Sequence, residues 1–179
     1  MFPLCIASEV AEYFVQQIAG TCDRVQIVGS IRRRRMTVKD IDLIVIPRFA
    51  DAGAQSLFGG AVRENLLEMR INQLYHKGRF TIESNGVKAK RLIWQLDDDA
   101  IPIDIHIGSH ETWWTLLLIR TGSRQHNIAM ACRAMERHMH LKSDGSGLFS
   151  PGGLPLPIHS EEEVFHHLGV EYRPPEARE

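Results

Sequence analysis

Apolar residues return at helical spacing through Ala7, Val10, Ala11, Phe14, Val15 and Ile18, which predicts a helix over residues 7–19 with Ser8 as its cap and Gly20 as its stop. The period then changes. Val25 to Val28 reads as an apolar strand, and after a Gly29-Ser30 turn a second strand carries Asp40 and Asp42 in alternation with Ile41 and Leu43. Residues 49–60 contain Gly and Ala without a period and are expected to be a loop. Leu66, Leu67, Ile71, Leu74 and Tyr75 predict a helix from Ala61 to His76, ended by Gly78. Strand-like runs at residues 80–83 and 88–96 flank Asn85-Gly86, a strong hairpin signal. Asp97 to Asp99 form a solvated turn, and residues 101–107 make another apolar strand whose single acid is Asp104.

From Glu111 onward the pattern is helical. Trp113, Trp114, Leu116, Leu117 and Leu118 form a bulky helix, better suited to core and lobe contacts than to base stacking. Thr121-Gly122-Ser123 interrupts it, and Ser123 caps a longer helix expected to run to about His140. A Gly- and Pro-rich stretch from Asp144 to Pro157 follows; Ser160 and Glu163 then form a capping box for a last helix over residues 161–168. The expected organisation is an α/β lobe over residues 1–109 and a smaller, mainly helical lobe over residues 110–179, an α+β chain overall.

Composition changes this picture little. Apolar residues make up 44% of the 179 and charged residues 24%, which is ordinary for a globular protein, and the net charge of −1 does not announce a nucleic-acid partner. The cations are nevertheless clustered: Arg32 to Arg35 with Lys39, then Lys88, Lys90 and Arg91, then Arg120, Arg124, Arg133 and Arg137. Such a track can follow a phosphate backbone with salt-sensitive affinity. Three scattered cysteines without a CxxC pair fit a reducing compartment, and no apolar run approaches the roughly 20 residues of a membrane span. The expectation is a cytoplasmic, non-membrane monomer.

The chemistry concentrates between Val25 and Pro47. Period-two alternation places Asp40 and Asp42 on one face of a strand, about 7 Å apart, where like charges favour divalent cations between them. Gly29-Ser30, followed by arginines, makes a turn whose backbone amides suit phosphate. A site for a nucleoside triphosphate and Mg2+ follows. Asp104, joining the sheet beside these two, would supply a third carboxylate; it faces with Pro102 and His106.

GSIRRRRMTVKDIDLIV, IDIH, RTGSRQHNIAMACRA, GLF, SEEEVFHHLG and YRPPEARE, in that order, resemble the palm and thumb of family X DNA polymerases over nearly the whole chain from about Val10. The likeness is to members made of palm and thumb alone, without the amino-terminal lyase and helix-hairpin-helix regions. It implies a nucleotidyltransferase-type palm with a mixed sheet and helices, followed by a smaller, mainly helical thumb. It further implies a DNA-directed DNA polymerase acting on dNTP and gapped or primer-template DNA, filling short gaps in repair, without lyase activity. Asp40, Asp42 and Asp104 would hold two Mg2+ ions, for which Mn2+ can substitute, with Asp104 accepting the proton of the primer 3′-hydroxyl.

The same resemblance places Gly29, Ser30 and Arg33, with the backbone at Val38-Lys39, against the triphosphate. Asn127 falls at the base and sugar edge of the incoming nucleotide, and Gly122 at the hinge side of the thumb. Ile119 and Arg120 stand where relatives that prefer deoxynucleotides carry an aromatic pair beneath the sugar. Lys88, Lys90, Arg124 and Arg133 are the candidate DNA contacts. Several positions depart from the family pattern: Arg34 and Lys39 replace frequent glycines, Pro102 stands where an arginine commonly supports the third carboxylate, and Ala131 aligns near a template-contacting arginine. Two alternatives remain: nucleotide addition without a template, to an end or to a small molecule, and a non-catalytic nucleic-acid-binding module.

Overall fold

The computed structural model describes residues 1–55 and 61–179. The chain runs through β1 (Phe2–Pro3), α1 (Leu4–Ile18), β2 (Cys22–Ile27), the single-turn helix α2 (Gly29–Arg32), β3 (Thr37–Val38) and β4 (Ile41–Pro47). The hairpin of β5 (Phe49–Gln55) and β6 (Ala61–Asn65) leads into α3 (Leu66–Tyr75) and then β7 (Phe80–Asn85), β8 (Ala89–Leu96) and β9 (Asp99–Ile107). The remainder is α4 (Trp113–Thr121), α5 (Arg124–Glu136), the short strands β10 (His140–Leu141) and β11 (Leu148–Phe149), and α6 (Glu161–His167).

Five strands form one mixed sheet in the order β2, β4, β9, β8, β7, antiparallel except for the parallel pair of β4 with β9. Alternation along these strands gives the sheet two different faces. One face carries Leu43, Val45, Leu92, Trp94, Ile103 and Ile105 against Ala7, Ala11, Phe14 and Ile18 of α1 and Leu67 and Ile71 of α3. Each fully buried Leu, Ile or Phe in this layer contributes about 1.5–3 kcal/mol. On the other face Ile44 and Ile46 pack with Val28 beneath Trp113, Leu116 and Leu117 of α4. The next two residues of α4, Leu118 and Ile119, belong to a separate core with Met130, Ala134, Val164 and Phe165. A single helix thus joins the sheet-rich region to the smaller helical region that follows it.

Several boundaries differ from the sequence expectation, each for a tertiary reason. α1 begins at Leu4, without a side-chain cap, because β1 pairs with β3 and the Leu4 amide donates to the Met36 carbonyl. The expected loop over residues 49–60 is strand as far as Gln55, and residues 56–60 lie outside those described. Its partner comes from the expected helix: Ala61 to Asn65 pair with β5, and the Asn65 side chain then caps α3 by accepting from the Leu67 and Glu68 amides. α5 ends at Glu136, earlier than expected, in a Schellman closure. His138 takes a φ of 57°, and the Met139 amide returns to the Ala134 carbonyl. Among the described residues no helix is long and apolar enough to cross a membrane.

Candidate active site

The parallel register of β4 with β9 sets Asp42 directly beside Asp104, and the antiparallel register of β9 with β8 sets Arg91 directly beside Asp104. Three adjacent strands therefore present Asp42, Asp104 and Arg91 in one row. Asp40 stands one residue ahead of β4 rather than inside the strand. Burial, reinforced by the charges of Asp42 and Asp104 and opposed by Arg91, pushes the Asp40 carboxyl above its ordinary range. Arg91 Nη2 donates to Asp104 Oδ2 at 3.0 Å and comes within 3.9 Å of Asp40, while Nε lies 2.8 Å from Asp104 Oδ1 in an ion-pair contact without hydrogen-bond geometry. His106 lies on the same face, with Nε2 3.6 Å from Asp42 Oδ1.

Hard carboxylate oxygens are the donor chemistry of Mg2+, and the upward push on Asp40 marks negative charge that a cation would offset. The three aspartates fit a divalent ion in this sense. Among the described residues, however, no three such side chains are gathered into a finished ion cage, and the Asp104 oxygens are engaged with Arg91.

Gly29 brings the phosphate-suited turn onto this face. It adopts a φ of 60°, and a β-carbon there would lie 2.1 Å from Asp42 Oδ2, so any other residue would have to displace the carboxylate. Ser30 Oγ is 3.5 Å from Arg33 Nη2, while the other end of the Arg33 guanidinium donates to the Thr121 carbonyl at the close of α4. Lys39 is exposed beside Asp40, and the Val38 side chain is buried.

The other arginines of the run meet carboxylates of the helical region and form a joint with it. Arg32 grips both oxygens of Glu161, at 3.0 and 2.6 Å, and donates to Thr121 Oγ1 at 2.7 Å. Arg178, fully buried and lying over the Phe165 and Tyr172 rings, reaches Glu161 Oε1 at 2.5 Å. Arg34 pairs with Glu176 at 3.2 Å and Arg35 with Glu179 at 2.9 Å. Burial alone would raise the Glu161 carboxyl, but hydrogen bonds and charge from the two arginines outweigh it and hold the group below the usual range. Neither Glu161 nor Arg178 stood out in the sequence, where Glu161 is the first residue of the expected last helix.

The thumb candidates divide in the same way. Asn127 donates from Nδ2 to the Ile119 carbonyl at 2.7 Å, and its buried Oδ1 has no partner. A β-carbon on Gly122 would lie 2.3 Å from that Oδ1, which explains the glycine. Ile119 is only 7% exposed and packs in the thumb core, so its side chain does not form a sugar-facing surface; its part is the carbonyl that holds Asn127. Arg120 lines a cleft of about 350 Å³ between palm and thumb with Lys88, His106, Thr112 and Asp144.

Among the candidate DNA contacts, Lys88 is exposed 3.8 Å from Asp144, Arg124 is exposed at the start of α5, and Arg133 pairs with Glu136 at 2.8 Å. Lys90 is a correction. Its ammonium is buried on the opposite sheet face against Glu68, Asn85 and the Gly86 carbonyl, leaving no surface for a phosphate.

Residues 116–179 match the family model described as DNA polymerase beta thumb. The chain is similar to the DNA polymerase/3'-5' exonuclease PolX of Bacillus subtilis (strain 168), with 29% identity over 180 residues covering 99% of this chain and 28% of that protein. It therefore spans just over a quarter of that relative's length. Its fold is similar to two structures of Leishmania infantum polymerase beta. The ternary P/T complex matches with a TM-score of 0.79 and 22% identity over 99% of this chain and 76% of the other. The ternary gap complex matches with a TM-score of 0.79 and 20% identity over 99% and 70%. With Asp42 and Asp104 side by side on the sheet and the polymerase beta thumb model matched over residues 116–179, the chain is similar to family X DNA polymerases and has the palm-plus-thumb fold of the polymerase beta structures.

Proposed function

We propose that the chain catalyses template-directed DNA synthesis, transferring dNMP from dNTP to a primer 3′-hydroxyl and filling short gaps during repair. The observation that carries this reading is the in-register pairing of Asp42 with Asp104, with Asp40 one step away and the Gly29-Ser30 turn resting on Asp42. The three carboxylates would hold two Mg2+ ions, which when bound supply Lewis acidity at the reacting phosphate and offset the charge of departing pyrophosphate. Asp104 accepts the proton of the primer hydroxyl. The backbone of the Gly29-Ser30 turn, together with Ser30 and Arg33, orients the triphosphate, since the first amides of α2 have no helical acceptor. Asn127, pinned by its bond to the Ile119 carbonyl, stands at the nucleotide edge.

Residues 1–109 act as the palm and 110–179 as the thumb, with Lys88, Arg124 and Arg133 along the DNA. The test is extension of a duplex carrying a one-nucleotide gap with single dNTPs in Mg2+. Incorporation that follows the template base is the expected result; equal incorporation of all four nucleotides opposite every base would exclude templating and favour nucleotide addition without a template.

A further inference from the structure

Among the described residues Arg91 is the one arginine or lysine paired with the carboxylate row, and its geometry is specific. It enters from β8, directly opposite Asp104 on β9, and lays its Nε and Nη2 edge along both oxygens of that carboxylate at 2.8 and 3.0 Å. One hydrogen bond from Nη2 and one close ion-pair contact from Nε set positive charge along a single edge of the carboxylate. Asp42 has no such partner; its nearest cationic candidate is His106 at 3.6 Å. The same Arg91 edge is 3.6 Å from Glu83 on β7, so a fourth acid on the far side helps hold the guanidinium in place.

We propose that Arg91 is the positioning residue for Asp104. By holding one edge of that carboxylate it orients Asp104 for the primer hydroxyl, while Asp40, at 3.9 Å, is touched more weakly and stays open to cations with Asp42. The proposal deepens the polymerase reading above and rests on it. The register also names the place from which a substitute could act. Pro102 lies two residues before Asp104 on the same strand and face, opposite Ile93 of β8. An arginine at position 102 would reach Asp104 along β9 instead of across from β8.

The experiment compares the unmodified protein with Arg91→Met, Arg91→Lys and the double variant Arg91→Met with Pro102→Arg, measuring kcat and dNTP KM on one-nucleotide-gapped DNA and Mn2+ binding to the free protein by electron paramagnetic resonance. Arg91→Met is expected to lower kcat on the order of 100-fold with KM within about threefold, since misplacement of a reacting group by an ångström has that effect. Arg91→Lys should recover little, because a shorter ammonium keeps charge without the guanidinium edge that sets Nη2 and Nε beside the two oxygens, and Pro102→Arg should restore at least about tenfold of the lost kcat. Mn2+ should bind about threefold or more tightly to Arg91→Met, because a cation next to the ligands has been removed. A merely structural role would weaken both turnover and Mn2+ binding. Full activity in Arg91→Met, or full recovery in Arg91→Lys with none in the double variant, would overturn the proposal. If the unmodified protein shows no nucleotidyl transfer on any gapped substrate, the polymerase reading fails by itself, and Mn2+ binding decides the arginine's part: tighter binding in Arg91→Met supports it and unchanged binding refutes it.

Discussion

Two ionic clusters flank the Gly29-Ser30 turn, and their charge balances are opposite. On the sheet face, Asp40, Asp42 and Asp104 share one guanidinium, and Asp40 is pushed upward by burial and by its neighbours. In the palm–thumb joint a single buried carboxylate, Glu161, is gripped by Arg32 and Arg178 and pushed downward by them. Both clusters combine carboxylates with arginines, so charge composition alone would not tell them apart. In the joint each carboxylate oxygen of Glu161 meets a guanidinium, whereas on the sheet three carboxylates share one. Pairing inside the joint holds two lobes in one arrangement, whereas the excess of carboxylates on the sheet is a cost to the fold that a bound cation would relieve.

The largest expected effect comes from removing charge where it is in excess. Asp42→Asn should reduce gap-filling turnover by roughly a thousandfold or more, about 4 kcal/mol of transition-state stabilisation. Its melting temperature should stay level or rise slightly, because a like charge leaves the cluster while volume is kept. Persistent turnover in steady-state assays would reject the carboxylate face as the reaction centre.

Removing charge where it is balanced should act in the reverse sense. Glu161→Gln leaves the fully buried Arg178 against a neutral amide, and breaking a buried pair in this way costs about 3 kcal/mol. For a chain of this size that corresponds to a fall of about 6–12 °C in melting temperature by calorimetry. An unchanged melting temperature would mean that the joint does not hold the two regions together.

A smaller, pH-dependent effect comes from His126, which lines the thumb beside Phe165. Burial, aided by the charges of Arg178, Arg173 and Arg33, lowers its pKa from 6.5 to about 4. The unfolded chain therefore takes up the proton first as pH falls below about 6.5, and folding stability declines between there and about pH 4. The loss should be on the order of 1–2 kcal/mol at pH 5 and should be absent in His126→Gln. Parallel melting curves for the two proteins at pH 7 and pH 5 would contradict this.

Local pattern was sufficient wherever a short-range rule governs structure. The alternation of Asp42 with Ile41 and Leu43, the turn at Asn85-Gly86, the Ser123 and Ser160 caps and the break at Gly122 were legible because each depends on residues within one turn or one strand. The strand of residues 49–55 was not, since an Ala- and Gly-containing segment becomes strand only when Ala61 to Asn65 pair with it. Lys90 and Arg91 are neighbours in one basic cluster, yet alternation sends Lys90 into a buried pair with Glu68 and Arg91 onto the carboxylate row. Which face each would take was set by strand register, and what waited there came from elsewhere in the chain.

By itself the sequence determined that the chain carries carboxylates in alternation, a Gly-Ser turn and segments that resemble the thumb of family X polymerases, because those are carried by residue type and short spacing. Only the tertiary structure decided that Asp42 and Asp104 are neighbours, that Arg91 and not residue 102 supports Asp104, and that Arg32, Arg34 and Arg35 serve the joint. The physical reason is that an ion pair depends on distance in space. The partners of Arg32 and Arg91 lie 129 and 13 residues away, at positions that sheet register and the docking of the thumb bring within reach.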